Sequence, residues 1–245
     1  MGSHVVTGAG RGIGRAVAER LAAAGPVVAL DADAAALAWT EGTAIVAVAG
    51  DAGDEAVAGR AADAAEAAGP LTGWVNNAAL FRDAALHDTP AADVLALIAA
   101  NLGLAVAGCA IAVRRFLAAG TPGAIVNVSS HQAQRPVPGA LPYATANSAV
   151  EGLTRALARR LRPRGIRVNA VALGSVTTGR LEGDAATADA VGALHPLGRA
   201  GTADEVAEVI AHLLSPAAAF VSGAVIPVDG GRAALGHDPE ARRVV

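Results

Sequence analysis

The sequence predicts an α/β fold, a doubly wound parallel sheet with helices on both faces, from three observations. Short apolar runs alternate with longer alanine-rich stretches along the chain, as in successive strand–helix–strand units. The runs are continuously apolar, as strands covered on both faces must be. The first run ends on a glycine-rich turn, Thr7-Gly8-Ala9-Gly10-Arg11-Gly12-Ile13-Gly14, which opens a helical stretch. Such a turn lets the backbone approach a pyrophosphate and set its charge on a helix N-terminus.

In chain order, strands are expected at residues 4–7, 27–31, 45–49, 71–75, 124–128, 167–172 and 224–228. Helices are expected at 15–24, 55–68, 91–119, 143–162 and 203–214. Thr202 stands three residues before Glu205, the spacing of a capping box. Pro163 and Gly165 stop the helix that begins near Tyr143. No linker-like tract or internal repeat divides the chain. The expectation is therefore one Rossmann-type domain spanning residues 1–245.

Composition narrows the function. A chain of 245 residues can bury about three quarters of its unfolded surface, enough for a full core. Net charge is −3 and the pI about 6.1, without a basic block, which argues against nucleic acid and anionic membranes as partners. Cys109 stands alone and can form no internal disulfide, which fits a cytoplasmic protein. The opening MGSHVVTGAG lacks the charged-then-apolar pattern of a signal peptide. Val6 occupies the position where myristoylation wants Ser or Thr. Residues 94–113 are uncharged and long enough to span a bilayer. They include Asn101, Gly103, Gly108 and many alanines, so a buried core helix is the expectation. No Cys/His cluster has metal-ligand spacing, so no metal site is expected. All 19 Lys/Arg residues are arginine. That excludes a lysine Schiff base, a phosphate-loop lysine and a lysine tuning a neighbour's acidity.

The glycine turn has the context a dinucleotide site needs, with an acidic residue ending the second strand. Asp31, seventeen positions past Gly14, accepts hydrogen bonds from a ribose 2′-hydroxyl and repels a 2′-phosphate, favouring NAD over NADP. Arg11 pulls the other way, since a guanidinium can pair with that phosphate. Asp31 would face the phosphate directly, so NAD is the expected cofactor.

With the turn in place, the chain resembles the short-chain dehydrogenase/reductase family over nearly every element. Asp51-Ala52 resembles the segment that meets adenine, and Asn76-Asn77-Ala78-Ala79 the Asn-Asn-Ala-Gly after the fourth strand. Asn101 stands where the family has a helix asparagine that holds a relay water. Ser130 precedes Tyr143 by thirteen residues, the spacing of the family's catalytic pair. Leu173-Gly174-Ser175-Val176-Thr177-Thr178 resembles the Pro-Gly motif covering the nicotinamide, with Leu173 replacing the proline. The resemblance implies cofactor contacts from Gly8, Gly10, Arg11, Gly12, Ile13, Gly14, Asp31, Asp51, Ala52, Asn77, Ala78, Tyr143, Asn147, Gly174, Val176 and Thr178. It implies catalytic roles for Ser130, Tyr143, Asn147 and Asn101.

Hydride transfer to or from a carbonyl carbon needs a proton donor or acceptor at the oxygen. In the resemblance Tyr143 is that group and Ser130 donates to the developing oxyanion. The family places a lysine four residues after the tyrosine, on the same helix face. Here that residue is Asn147. Ketoreductase domains of modular polyketide synthases share Tyr-x-x-x-Asn, but carry a lysine where this chain has Asn101. Without the ammonium, oxidation, which needs a basic tyrosinate, suffers more than reduction, where a neutral phenol still donates. The expected function is hydride transfer between NAD(H) and a small or medium carbonyl or alcohol. The alternatives are a fold reused for isomerisation, dehydration or cyclisation, and a binding protein without turnover.

His131 follows Ser130, and adjacent strand residues point to opposite faces, so it is expected to miss the pocket. Arg135 is expected to be a solvated loop residue. Phe81 and Leu141 are open between pocket lining and core packing. Residues 178–195 correspond to the family's lid, and 236–245 form a polar tail that either reaches a neighbouring subunit or is disordered. Helices 91–119 and 143–162 form the dimer surface in the resembling family, implying a homotetramer or homodimer.

Overall fold

The computed structural model describes residues 2–178 and 185–234, without the side chains of 185–187. The lid segment is thus described only in part, and the tail 236–245 lies outside the described residues. The order is β1 (Ser3–Thr7), α1 (Gly12–Ala22), β2 (Val27–Asp31), β3 (Val46–Ala49), α2 (Glu55–Ala68), β4 (Leu71–Asn76) and α3 (Ala91–Ala119). There follow β5 (Ala124–Ser130), α4 (Leu141–Leu161), β6 (Arg167–Leu173), β7 (Val176–Thr177), α5 (Ala185–Gly192), β8 (Gly201–Thr202), α6 (Ala203–Leu214) and β9 (Val225–Val228).

Seven strands form one parallel sheet in the order β3-β2-β1-β4-β5-β6-β9. The chain winds outward from β1 in one direction and, from β4, in the other. Ligands of such sheets sit in the crevice at this switch point, outside the carboxyl ends of the strands. Neighbouring residues of β1 go to opposite sides. Val6 joins a core with Val17 and Leu21 of α1 and Ile210 and Leu213 of α6. Val5 joins the other, with Ala58 and Ala61 of α2, Phe116 of α3 and Leu161 of α4. Both valines are fully buried, which is why the strand reads as a continuous apolar run.

α2, α3 and α6 have the bounds expected from the sequence. Thr202 Oγ1 accepts from Glu205 N at 3.2 Å, and Glu205 Oε2 accepts from Thr202 N at 2.8 Å, completing the capping box. Two hydrogen bonds from Arg199 to that carboxylate, with the Thr202 amide, hold Glu205 down to about 2. α4 stops at Leu161, a 3₁₀ turn crosses Arg162–Arg164, and Gly165 exits in the left-handed region at φ +68°. Several details differ from expectation, among them α4, which begins at Leu141, two residues early. α1 begins at Gly12, three residues early, and its first turn carries no side-chain cap. β5 and β6 run on to Ser130 and Leu173, each in register with the other. The β7–β8 pair and α5 were not foreseen; with two strand residues each, β7 and β8 are too short for a periodic signal. α3 is long and apolar enough to cross a bilayer, but one side of it packs on β4, α2 and α4.

Candidate dinucleotide and proton-transfer site

The glycine turn is built for a close approach. Gly8 has φ +64°, and a Cβ on Gly14 would lie 2.0 Å from Gly8 O and 2.6 Å from Asn77 Nδ2. Only glycine fits there. Asn77 fastens the turn to β4: its Nδ2 donates to Thr7 O at 3.1 Å and Gly8 O at 3.0 Å. Thr7 Oγ1 accepts from the amides of Asn77 and Ala78 at 3.0 and 3.1 Å. Thr178 leans in from the far side, its Cγ2 only 3.2 Å from where a Cβ on Gly12 would stand. The motif after β6 therefore meets the motif after β1. The N-terminus of α1 beneath them, with Ile13 and Gly14 in its first turn, has no side-chain cap, an arrangement that suits an anion.

Asp31 ends β2 beside this turn. Its Oδ2 accepts from Gly10 N at 2.8 Å and its Oδ1 from Asp33 N at 2.9 Å. Arg11 forms an exposed ion pair with Asp33, a partner the sequence reading passed over. Two carboxylates and one guanidinium leave this corner net negative. Asp51 caps its own turn, Oδ1 accepting from Gly53 N at 2.8 Å, and Ala52 is buried beside it.

Ser130 closes β5 opposite Leu173 of β6 and is buried. Its Oγ accepts from Gln132 N at 3.2 Å, which leaves the hydroxyl proton for an outside acceptor. Tyr143 stands in the first turn of α4, which packs on the turn following Ser130. Its ring meets Phe81 with centroids 4.9 Å apart, tilted 35°, so Phe81, more than half exposed, lies over the tyrosine. Asn101 Oδ1 accepts from Leu80 N at 2.8 Å and its Nδ2 donates to Leu97 O at 3.3 Å, fixing the loop that carries Phe81. Asn147 is buried one turn past Tyr143, its Nδ2 donating to Tyr143 O at 2.9 Å. Leu141 is partly buried and Arg135 exposed. His131 turns its ring toward β6, Nδ1 lying 3.1 Å from Leu173 O.

Residues 8–233 match the profile of the family described as enoyl-(acyl carrier protein) reductase. The chain is 38% identical to the short-chain reductase protein NovJ of Streptomyces niveus, over 93% of this chain and 92% of that protein. It is 36% identical to the 3-oxoacyl-[acyl-carrier-protein] reductase FabG of Pseudomonas aeruginosa, over 93% and 95%. The chain belongs to the short-chain dehydrogenase/reductase family. Among solved structures, a gluconate 5-dehydrogenase from Burkholderia cenocepacia in complex with NADP and tartrate superposes with TM-score 0.85 at 32% identity, covering 96% of each chain.

The residues of this short-chain dehydrogenase/reductase fit a nicotinamide dinucleotide: the side-chain-free turn at Gly8 and Gly14 and the uncapped α1 amides suit a pyrophosphate. The sequence reading missed two polar groupings. Buried Asn76, Asn127 and Thr154 form a chain in which Asn76 Nδ2 donates to Asn127 Oδ1 at 2.8 Å and Asn127 Nδ2 to Thr154 Oγ1 at 2.9 Å. It ties β4 and β5 to α4. Cys109 abuts it, and burial pushes that thiol up to about 12, which leaves it protonated and unreactive. The second grouping, His195, Asp229 and Arg232, gathers behind Gly174. The lone sequence signal for either was polar residues inside apolar runs.

Proposed function

We propose that this chain is an NAD(H)-dependent reductase of small or medium carbonyl compounds, with Tyr143 as proton donor in its neutral form. One observation carries the reading: Ser130 ends β5 in register with Leu173, beside the segment that reaches the glycine turn. A bound nicotinamide would supply the hydride. Tyr143 gives its phenolic proton to the carbonyl oxygen as that oxygen gains charge, and Ser130 donates a hydrogen bond to the same atom. Asn147 holds the first turn of α4, and so the tyrosine, through Tyr143 O. Asn101 acts one step further out, through Leu80 and Phe81. Phe81 offers the substrate an apolar wall.

The preference for NAD rests on Asp31, with Asp33 holding Arg11 away. Asp31→Asn keeps an acceptor for Gly10 N and removes the charge. One like-charge contact near a surface is worth about 1–4 kcal/mol, so the preference for NADH over NADPH should fall by about fivefold or more. Wild-type protein incubated with aliphatic ketones and NADH should consume the nicotinamide absorbance. Tighter wild-type binding of NADPH, or product formed without NADH consumption, would count against the proposal.

We propose too that α3 and α4 pair with a second copy in a homodimer or homotetramer. Leu95 and Val106 of α3 lie 64% and 44% exposed on a helix otherwise rich in alanine, so an apolar face is uncovered in the single chain. Equilibrium sedimentation should give a dimer or tetramer; a monomer at micromolar concentration overturns this.

A further inference from the structure

The segment from Leu173 to Ser175 is gripped at every residue. Leu173 O receives His131 Nδ1 at 3.1 Å. Gly174 N donates to Val228 O at 3.0 Å. Ser175 N donates to His195 Nε2 at 3.1 Å, and Ser175 Oγ accepts from Arg232 at 2.9 Å. His195 is itself fixed, its Nδ1 lying 2.8 Å from Val191 O, and it is 3% exposed. Both ring nitrogens of His195 are thus engaged, one beside a carbonyl and one by an amide. Arg232 is held in turn by buried Asp229, whose two oxygens accept from Gly231 N at 2.9 Å and Ala233 N at 2.7 Å and shape the turn that carries it. A Cβ on Gly174 would lie 2.9 Å from His195 Nε2 and 2.8 Å from Asp229 Cα, so the backbone is drawn tight against this cluster. Burial, with the Arg232 charge adding to it, holds His131 below the ordinary imidazole range.

We propose that His131, His195 and Arg232 are positioning residues that set the height of the 173–178 segment over the nicotinamide pocket. The backbone after a strand end is free to flex, and Leu173 lacks the fixed φ that a proline would impose. Three side-chain tethers, one on Leu173 and two on Ser175, supply that rigidity. The three side chains come from separate places: the end of β5, the turn after α5 and the turn after β9. The segment's position is thus set jointly by the end of β5, by the turn after α5 and by the sheet edge. A dinucleotide with its adenosine half near Asp31 and Asp51 would reach Leu173–Ser175 with its nicotinamide end, so that end is where the tethers would act first.

The inference rests on the dinucleotide reading above, and its test separates the two. His195→Leu removes both bonds of the ring, His195→Gln keeps a donor and an acceptor, and Arg232→Met keeps the stem of a partly exposed side chain and removes its donors. Affinities of the full chain for NADH and for ADP-ribose, which lacks the nicotinamide, are measured by titration calorimetry. His195→Leu and Arg232→Met should each weaken NADH about tenfold to a hundredfold, the scale of a misplacement near 1 Å, and leave ADP-ribose unchanged; His195→Gln should recover most of the loss. NADH and ADP-ribose weakening in parallel, or NADH unaffected, overturns the tether. Wild-type protein that binds neither ligand overturns the dinucleotide reading and the tether with it. If His195→Leu does not fold, Arg232→Met alone decides.

Discussion

Tyr143→Phe is expected to reduce carbonyl turnover with NADH by about a hundred- to ten-thousand-fold, the usual contribution of a positioned proton donor. The substitution removes one oxygen and keeps the ring. The ring contact with Phe81, at 4.9 Å between centroids, and the hydrogen bond from Asn147 to Tyr143 O both survive, because neither uses the hydroxyl. The first turn of α4 therefore stays in place, and NADH affinity should match the wild type. The loss should appear in kcat, with KM for the ketone nearly unchanged, because proton donation matters only as charge develops on the oxygen. Ser130, buried with its lone pair engaged by Gln132 N, still donates to the oxyanion in the variant, so turnover should not fall to zero. A variant that turns over at the wild-type rate would remove Tyr143 from the mechanism and leave the proton to another group.

What the sequence made legible followed the range of the forces involved. The bounds of α6 could be read off because Thr202 and Glu205 cap the helix they belong to, three residues apart. The winding of the sheet could be read because full burial on both faces leaves a continuous apolar run, as in β1 and β2. The start of α1 could not. Rules for helix starts look for a capping side chain, and this helix leaves its first amides open for a ligand. Arg11 shows the same limit. Its charge was visible, but the Asp33 that holds it lies 22 residues away and on another strand's end. The Ser175–Arg232 and Asn76–Asn127 contacts join residues 57 and 51 apart, so they exist only once the sheet has brought those elements together. Motif spacing located Ser130 and Tyr143, but what holds the residues around them in place is tertiary.

Asn147→Lys is expected to raise alcohol oxidation at neutral pH by about tenfold to a thousandfold, with ketone reduction rising alongside because the equilibrium of the reaction is unchanged. Oxidation needs a phenolate to take the alcohol proton, and an ammonium one helical turn away favours the phenolate by about 1–3 pH units. The basic form is then populated at lower pH, so the rising limb of the oxidation profile should move toward acid by that amount. Reduction runs on the neutral phenol, which the same charge makes the better proton donor. The change has a cost. Asn147 is 7% exposed and donates to Tyr143 O at 2.9 Å; lysine breaks that bond and brings an ammonium into a nearly closed space. A charge buried without a partner is destabilising, so the variant's thermal midpoint should fall when no cofactor is bound. A ribose hydroxyl at the site would accept from the ammonium, so NADH should restore more stability to the variant than to the wild type, and the difference in melting shift reads out that contact. A folded Asn147→Lys protein that binds NADH yet keeps the wild-type oxidation profile would mean that the asparagine serves chemistry a lysine cannot replace. The absence of lysine from the whole chain would then be a property the reaction tolerates, with residue 147 selected for its amide.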